Sequence, residues 1–292
     1  MIDHQAFDEE NPLTPAPSEP RRKFPWAMLV VAAVFVLTAF LSWYGTWFGR
    51  TLSDTKMEEY LTDKEKPRNV QHALSQLGDR IIAGDQGVKK WYPRIIEASR
   101  HSAPEVRSNA AWTMGQDNTQ PEFHAALINL LTDPNPTVRH NAALQLVRFN
   151  DQSGRSELVS MLQPETLLAK RAGVVDMIIE EEGIAVAAGS PLARIRGDDG
   201  EVIEMRAAED ARVEKVIVPD ESRVDEGAPL VVLVPSIKQV EATLNALAII
   251  GQPEDMPTIE RYTRPMLGVP DYVNRQASLV IEAIRERAAE AR

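Results

Sequence analysis

The chain has 292 residues and a formal net charge of −11. This acidic balance argues against nucleic-acid partners and against broad docking on anionic lipid, both of which need clustered Lys and Arg. There is no cysteine, which excludes disulfides, thiolate catalysis, iron–sulfur clusters and cysteine zinc sites.

Residues 1–23 are rich in Pro and acidic side chains, as in NPLTPAPSEP, and carry no periodicity. They are expected to form a disordered tail. Arg21, Arg22 and Lys23 then abut an apolar run from Phe24 to Phe48, FPWAMLVVAAVFVLTAFLSWYGTWF, which holds no charged residue. Roughly 20 apolar residues cross a bilayer as a helix, so residues 24–49 are expected to be a transmembrane anchor with the lipid bilayer as partner. The run is longer than a signal-peptide core and closes on Trp43, Tyr44, Trp47 and Phe48 rather than on a small-residue cleavage site, so it reads as an uncleaved signal anchor. The basic triplet favours a cytoplasmic N-terminus. Arg50, Lys56 and Lys64 reduce that asymmetry, and the compact triplet takes the greater weight. The expectation is a single-pass protein of the cytoplasmic (inner) membrane with its folded part extracytoplasmic.

Residues 55–171 show amphipathic helical spacing with short Pro-bearing joints. PEVRSNAAWTM from Pro104 aligns with PTVRHNAALQL from Pro136, an offset of 32 residues. That is the period of a solenoid built from helix pairs. Pro in the first helical turn presets its dihedral and needs no donor. Val106 with Ala110, and Val138 with Ala142, lie four apart on one face. Asp133 is placed to cap the helix after Pro134. Arg107 and Arg139 sit beside the apolar face, within reach of a preceding turn. A looser copy, PRNVQHALSQL, starts at Pro67. The pattern resembles HEAT repeats of the phycobilisome-lyase-like kind. The resemblance implies an α-solenoid that grips protein partners; bilin attachment does not follow from the repeat.

Residues 172–235 change to β-branched, Gly-punctuated sequence. The segment from Gly173 aligns without a gap to the segment from Ala211, an offset of 38. Val175 matches Val213, Ile179 matches Ile217, Gly189 matches Gly227, and Pro191-Leu192 matches Pro229-Leu230. Each copy reads strand, turn, V-x-x-G-x-P-L, strand. Glycine suits a turn of positive φ, and proline suits a strand start. This pattern resembles the biotinyl/lipoyl domain, a barrel-sandwich hybrid of two quasi-symmetric halves. The resemblance implies a prosthetic group on a lysine at the tip of the hairpin joining the halves. Here that tip carries Asp198 and Asp199, and the nearest lysine, Lys215, falls in a strand. A carboxylate cannot replace an acylable amine, so no cofactor is expected. The same fold without its lysine occurs in membrane-fusion proteins, the periplasmic adaptors of efflux and secretion systems. Those carry a long helical hairpin between the halves, where this chain has only about fifteen residues.

From Ser236 the helical spacing returns, with Val240, Leu244, Leu247 and Ala248 in register. YVNRQASL from Tyr272 echoes TVRHNAAL from Thr137, so residues 236–292 read as a C-terminal repeat with a cap over 275–292. The architecture expected is mainly α: a HEAT-type solenoid, an inserted all-β hybrid domain, and one N-terminal membrane helix.

His72, His101, His124 and His140 lack any metal-ligand spacing, and no metal site is expected. Glu180, Glu181 and Glu182 read as a solvated turn. Trp112 is expected in the core, and Trp91 and Tyr92 lie near a joint. No nucleophile elbow, P-loop or dinucleotide fingerprint is present. The functional expectation is a membrane-anchored, non-enzymatic scaffold or accessory subunit that holds other protein subunits of a membrane assembly. An efflux or secretion adaptor is the alternative, and a prosthetic-group carrier or lyase-like module the second.

Overall fold

The computed structural model describes residues 26–45 and 51–290. The tail over 1–23, both ends of the apolar run with Trp47 and Phe48, and the side chains of Trp43 and Tyr44 lie outside the described residues. The chain divides into two units, Met1–Thr51 and Leu52–Arg292.

In the first unit, α1 runs over Trp26–Gly45, 20 residues without a charge. Its described side chains are Trp26 and residues 29–40, all exposed. Among the described residues no helix is long and apolar enough to cross a membrane.

The second unit begins with α2 (Asp54–Leu61), whose N-cap Ser53 accepts from the Lys56 N–H. Then come α3 (Pro67–Ile82), α4 (Tyr92–Ala98), α5 (Pro104–Met114), α6 (Pro121–Leu130), α7 (Pro136–Leu146) and α8 (Arg155–Ser160). Pro opens α3, α5, α6 and α7 at a position that donates no intrahelical bond. Helices α3, α5 and α7 pack side by side in one layer, with α4 and α6 behind them. Their shared face buries Val70, Leu74, Val106, Ala110, Val138 and Ala142 completely or nearly so. Alanine at these positions lets the backbones approach closely.

Asp133 does not cap α7. Asn135 does, accepting from Val138 N–H at 3.3 Å. Asp133 is drawn away by Arg107, described below.

A β module interrupts the stack. Its strands are β1 (Glu165–Leu168), β2 (Gly173–Met177), β3 (Ala185–Val186), β4 (Pro191–Arg196), β5 (Val202–Arg206), β6 (Ala211–Val216), β7 (Arg223–Val224) and β8 (Pro229–Pro235). They form two four-stranded antiparallel sheets, ordered β1-β8-β6-β3 and β5-β4-β2-β7. The 38-residue offset maps one order onto the other, strand for strand. Each half lends its short strand to the other's sheet: β3 pairs with β6, and β7 with β2. Both inner faces therefore close over one core, with Val175, Leu192, Ile195, Met205, Val213 and Leu230 almost solvent-free. Gly189 and Gly227 adopt φ of 78° and 81° in matching turns, a conformation costly for any other residue. Strand β1 lies upstream of the expected module, in sequence expected to be helical. Its counterpart is β5: Ala169 and Ala207, 38 apart, each donate to the loop before the partner strand, at Ala228 O and Ser190 O.

Beyond the module, α9 (Ile237–Ile250), α10 (Met256–Glu260) and α11 (Asp271–Glu290) resume the helical stack. Ser236 caps α9 by accepting from Gln239 N–H. One apolar cluster joins Ala143 and Leu158 from before the module to Leu244, Ile259, Val273 and Ile284 after it. The last helix starts at Asp271, four residues before the expected cap, because Val273 and Ala277 take the buried places that Val138 and Ala142 hold in α7.

Candidate functional site

A polar residue at one repeated position ties α5, α7 and α11 each to the loop before it. Arg107 Nη1 donates to His101 O and Ser102 O, both at 2.9 Å. Arg139 Nη1 donates to Asp133 O at 3.0 Å and Pro134 O at 3.4 Å. At the matching place in α11, Asn274 donates to Tyr262 O and Arg264 O at 2.9 and 2.8 Å. Arg107 also clamps Asp133 bidentately, at 2.6 and 2.7 Å, with the two side chains only 13% and 7% exposed. Burial pushes the Asp133 carboxyl up, but the Arg107 bonds and the Asn135 N–H outweigh it, and the group lies below the usual carboxylate range.

Two residues further along, amides reach sideways to the preceding helix. Asn109 donates to Gln71 O at 3.4 Å, and Asn141 to Ser108 Oγ at 2.8 Å. Gln276, the equivalent in α11, donates to Glu241 O at 3.4 Å. Asn109 and Asn141 line a groove of about 520 Å3 over α3, α5 and α7. Its walls are Ser75, Glu105, Ser108, Asn109, Trp112, Asn135, Thr137 and Asn141. Trp112 is half-buried in this groove rather than in the core, and its ring lies over Gly78, where an added Cβ would fall 2.3 Å from Cζ3. Trp91 is buried, and Tyr92 donates to Asp117 at 2.7 Å.

The far edge of the groove meets the β module. Glu209 accepts from Thr137 Oγ1 at 2.7 Å and faces His140 Nδ1 at 3.2 Å. The other ring nitrogen of His140 faces Glu157 at 3.4 Å, and Arg139 also holds Glu157. Burial raises the Glu209 carboxyl, while His140, Thr137 and Gln239 overcome that and hold it below its ordinary value. Elsewhere on the junction Arg212, 4% exposed, donates to Gly268 O at 3.1 Å, and Glu214 pairs with Arg261. The module is thus fastened by α7, α9 and the segment around 261–268.

The sequence-predicted tip residues are held within the module. Asp199 accepts two bonds from Arg171 at 2.8 Å, and Asp198 one from Arg223 at 2.6 Å. Lys215 is exposed on β6. Glu180, Glu181 and Glu182 are exposed, with Glu182 accepting from Val216 N–H. Two histidines acquire carboxylates that no local spacing announced: His140 as above, and His124 with Asp151 at 2.6 Å. Among the described residues no group of three His, Cys, Asp or Glu is arranged to hold a metal.

Residues 92–174 match the family model for HEAT repeats. The match runs from the start of α4 to the first residues of β2. No curated protein matches the sequence. Among solved structures, the chain is similar to a single-chain, multi-domain long-chain acyl-CoA carboxylase, at 20% identity over 44% of this chain and with a TM-score of 0.24. The matched part spans 14% of that chain. HEAT repeats generally mediate protein–protein interactions, and those of this chain indicate a protein-interaction scaffold.

Proposed function

We propose that this protein is a membrane-anchored, non-enzymatic accessory subunit that presents its repeats and β module to other subunits of a membrane assembly. One observation carries the reading. The β module is fixed to the helical stack from several elements at once, through Glu209, Arg212 and Glu214. A carrier domain must swing between sites, whereas a platform gains from being held. The module is read as biotinyl/lipoyl-like on its two sheets related by the 38-residue offset. Its hairpin tip holds acid–base pairs where that family carries a lysine. The membrane anchor is read from the uncharged apolar run Phe24 to Phe48 in the sequence, which is long enough for a spanning segment of roughly 20 residues. The adaptor reading is weaker, because only residues 197–201 connect β4 to β5, with no room for a helical hairpin.

Affinity purification of the full chain from detergent-solubilised membranes tests the proposal. Stoichiometric co-purification of membrane subunits, with an intact mass equal to the polypeptide alone, supports it. A chain recovered without detergent and without partners overturns it, as does a biotin or lipoate adduct. Orientation is tested by a single Glu65→Cys substitution in this cysteine-free chain, with labelling of intact cells by an impermeant maleimide. Labelling is expected for an extracytoplasmic folded part.

A further inference from the structure

We propose that the groove over α3, α5 and α7 receives an extended, positively charged segment of a partner protein. This rests on the scaffold reading and specifies what the scaffold grips.

The inference follows from hydrogen-bond capacity. Asn141 spends both amide hydrogens inside the protein, on Ser108 Oγ and Thr137 O. Asn109 turns its amide nitrogen to Gln71 O. Neither Oδ1 accepts a bond among the described residues, so the row offers carbonyl oxygens to the groove. Such acceptors suit the N–H groups of an extended backbone and the donors of Arg or Lys.

Charge points the same way. No Lys, Arg or His lines the groove, and its one charged residue is Glu105, exposed and without an ion pair among the described residues. At the opposite edge Thr137 leads to a second cavity of about 330 Å3, lined by Glu165, Glu209 and Asp210 with His140. An acidic or phosphate-bearing partner would meet carboxylates at both ends. Between them stands the half-exposed face of Trp112, the natural seat of a cation over an aromatic ring. Three helices spaced 8–10 Å apart give a track of roughly 16–20 Å. That admits about five or six residues of extended chain. Apart from Trp112 the walls are polar or carry only proline, so an apolar helix finds little to cover.

The test uses the full chain in detergent and a fluorescein-labelled Gly/Ser peptide of about eight residues bearing three arginines, a length that covers the track. Control peptides replace every arginine with glutamine or with glutamate. The arginine peptide is expected to bind, to perturb tryptophan emission, and to weaken as salt rises. Glu105→Gln and Trp112→Phe are each expected to reduce its affinity about two- to fivefold. Glu105→Gln leaves the Trp112 ring over Gly78 untouched, so that variant does not depend on refolding the layer. Equal binding of the glutamine or glutamate peptide overturns the proposal, as does binding that both substitutions leave unchanged. Membrane subunits that co-purify while no arginine peptide binds overturn the proposal and leave the scaffold reading standing. An absence of co-purifying subunits removes the scaffold reading on separate grounds.

Discussion

Replacing Arg107 with alanine tests how the repeats are held to one another. The guanidinium makes four hydrogen bonds, two to Asp133 and two to the carbonyls of His101 and Ser102. Its loss leaves Asp133, 7% exposed, with the Asn135 N–H as its remaining donor. Exposed ion pairs contribute about 0–1 kcal/mol, and breaking a fully buried one costs about 3–5 kcal/mol. This pair sits between those limits, at the rim of the layer, so we expect a loss of about 2–4 kcal/mol. Asp133→Asn should cost less, because the arginine keeps both carbonyls. The double variant should fall short of the sum by about 1–3 kcal/mol. Urea denaturation of the full chain gives the totals, and hydrogen exchange across residues 101–139 locates the loosening. Solenoid units can unfold separately, which makes the local readout the decisive one. A loss below 1 kcal/mol with unchanged exchange would mean that the pair is solvated in solution and that Arg107 does not hold the repeats to one another.

Three further outcomes follow from the packing. Gly78→Ala puts a methyl inside the ring of Trp112, and the rigid indole must move. A cost of about 1–3 kcal/mol and a shifted tryptophan emission are expected, checked by thermal melts and fluorescence. Tyr262, fully buried, donates to Leu162 O at 2.8 Å, and burial pushes its phenol up to about 12. Tyr262→Phe strands that carbonyl and should cost about 1–3 kcal/mol in urea denaturation, with no pH dependence near neutrality. Glu209 faces Thr137, His140 and Gln239, with Glu157 beyond the imidazole. Its folded pKa lies below the unfolded one, so the native state binds fewer protons in the window between them. Its contribution is complete above the ordinary carboxylate range, about 4, and is lost as pH falls through the lower folded value. Glu209→Gln should therefore flatten the acid limb of a stability-against-pH curve while thermal melts near pH 7 show the module loosened.

Much of the architecture was legible because a repeat writes the same demand twice. The 32-residue offset marked Val106, Val138 and their alanines, and all are buried in one layer. The 38-residue offset marked Gly189 and Gly227, and both take positive φ in matching turns. Arg107 and Arg139 were placed near the preceding turn, and they bond to it. The uncharged run from Phe24 to Phe48 is written in composition alone. Other features were not legible. Strand β1 has little sequence likeness to β5, and only its backbone bonds reveal the match. Asp133 looked like a cap because caps are local, yet a partner 26 residues away outcompetes the helix end.

The sequence by itself determined which faces are apolar, where the chain turns, and that the hairpin tip carries Asp198 and Asp199. Those are properties of a segment and its immediate neighbours. Tertiary structure alone decided that β3 and β7 change sheets, that Trp112 lines a groove, and that Glu209 meets Thr137 and His140 across about 70 positions of chain. Such pairings depend on how distant elements close on one another. Periodicity says which side of a helix or strand is buried, but not what will be waiting there.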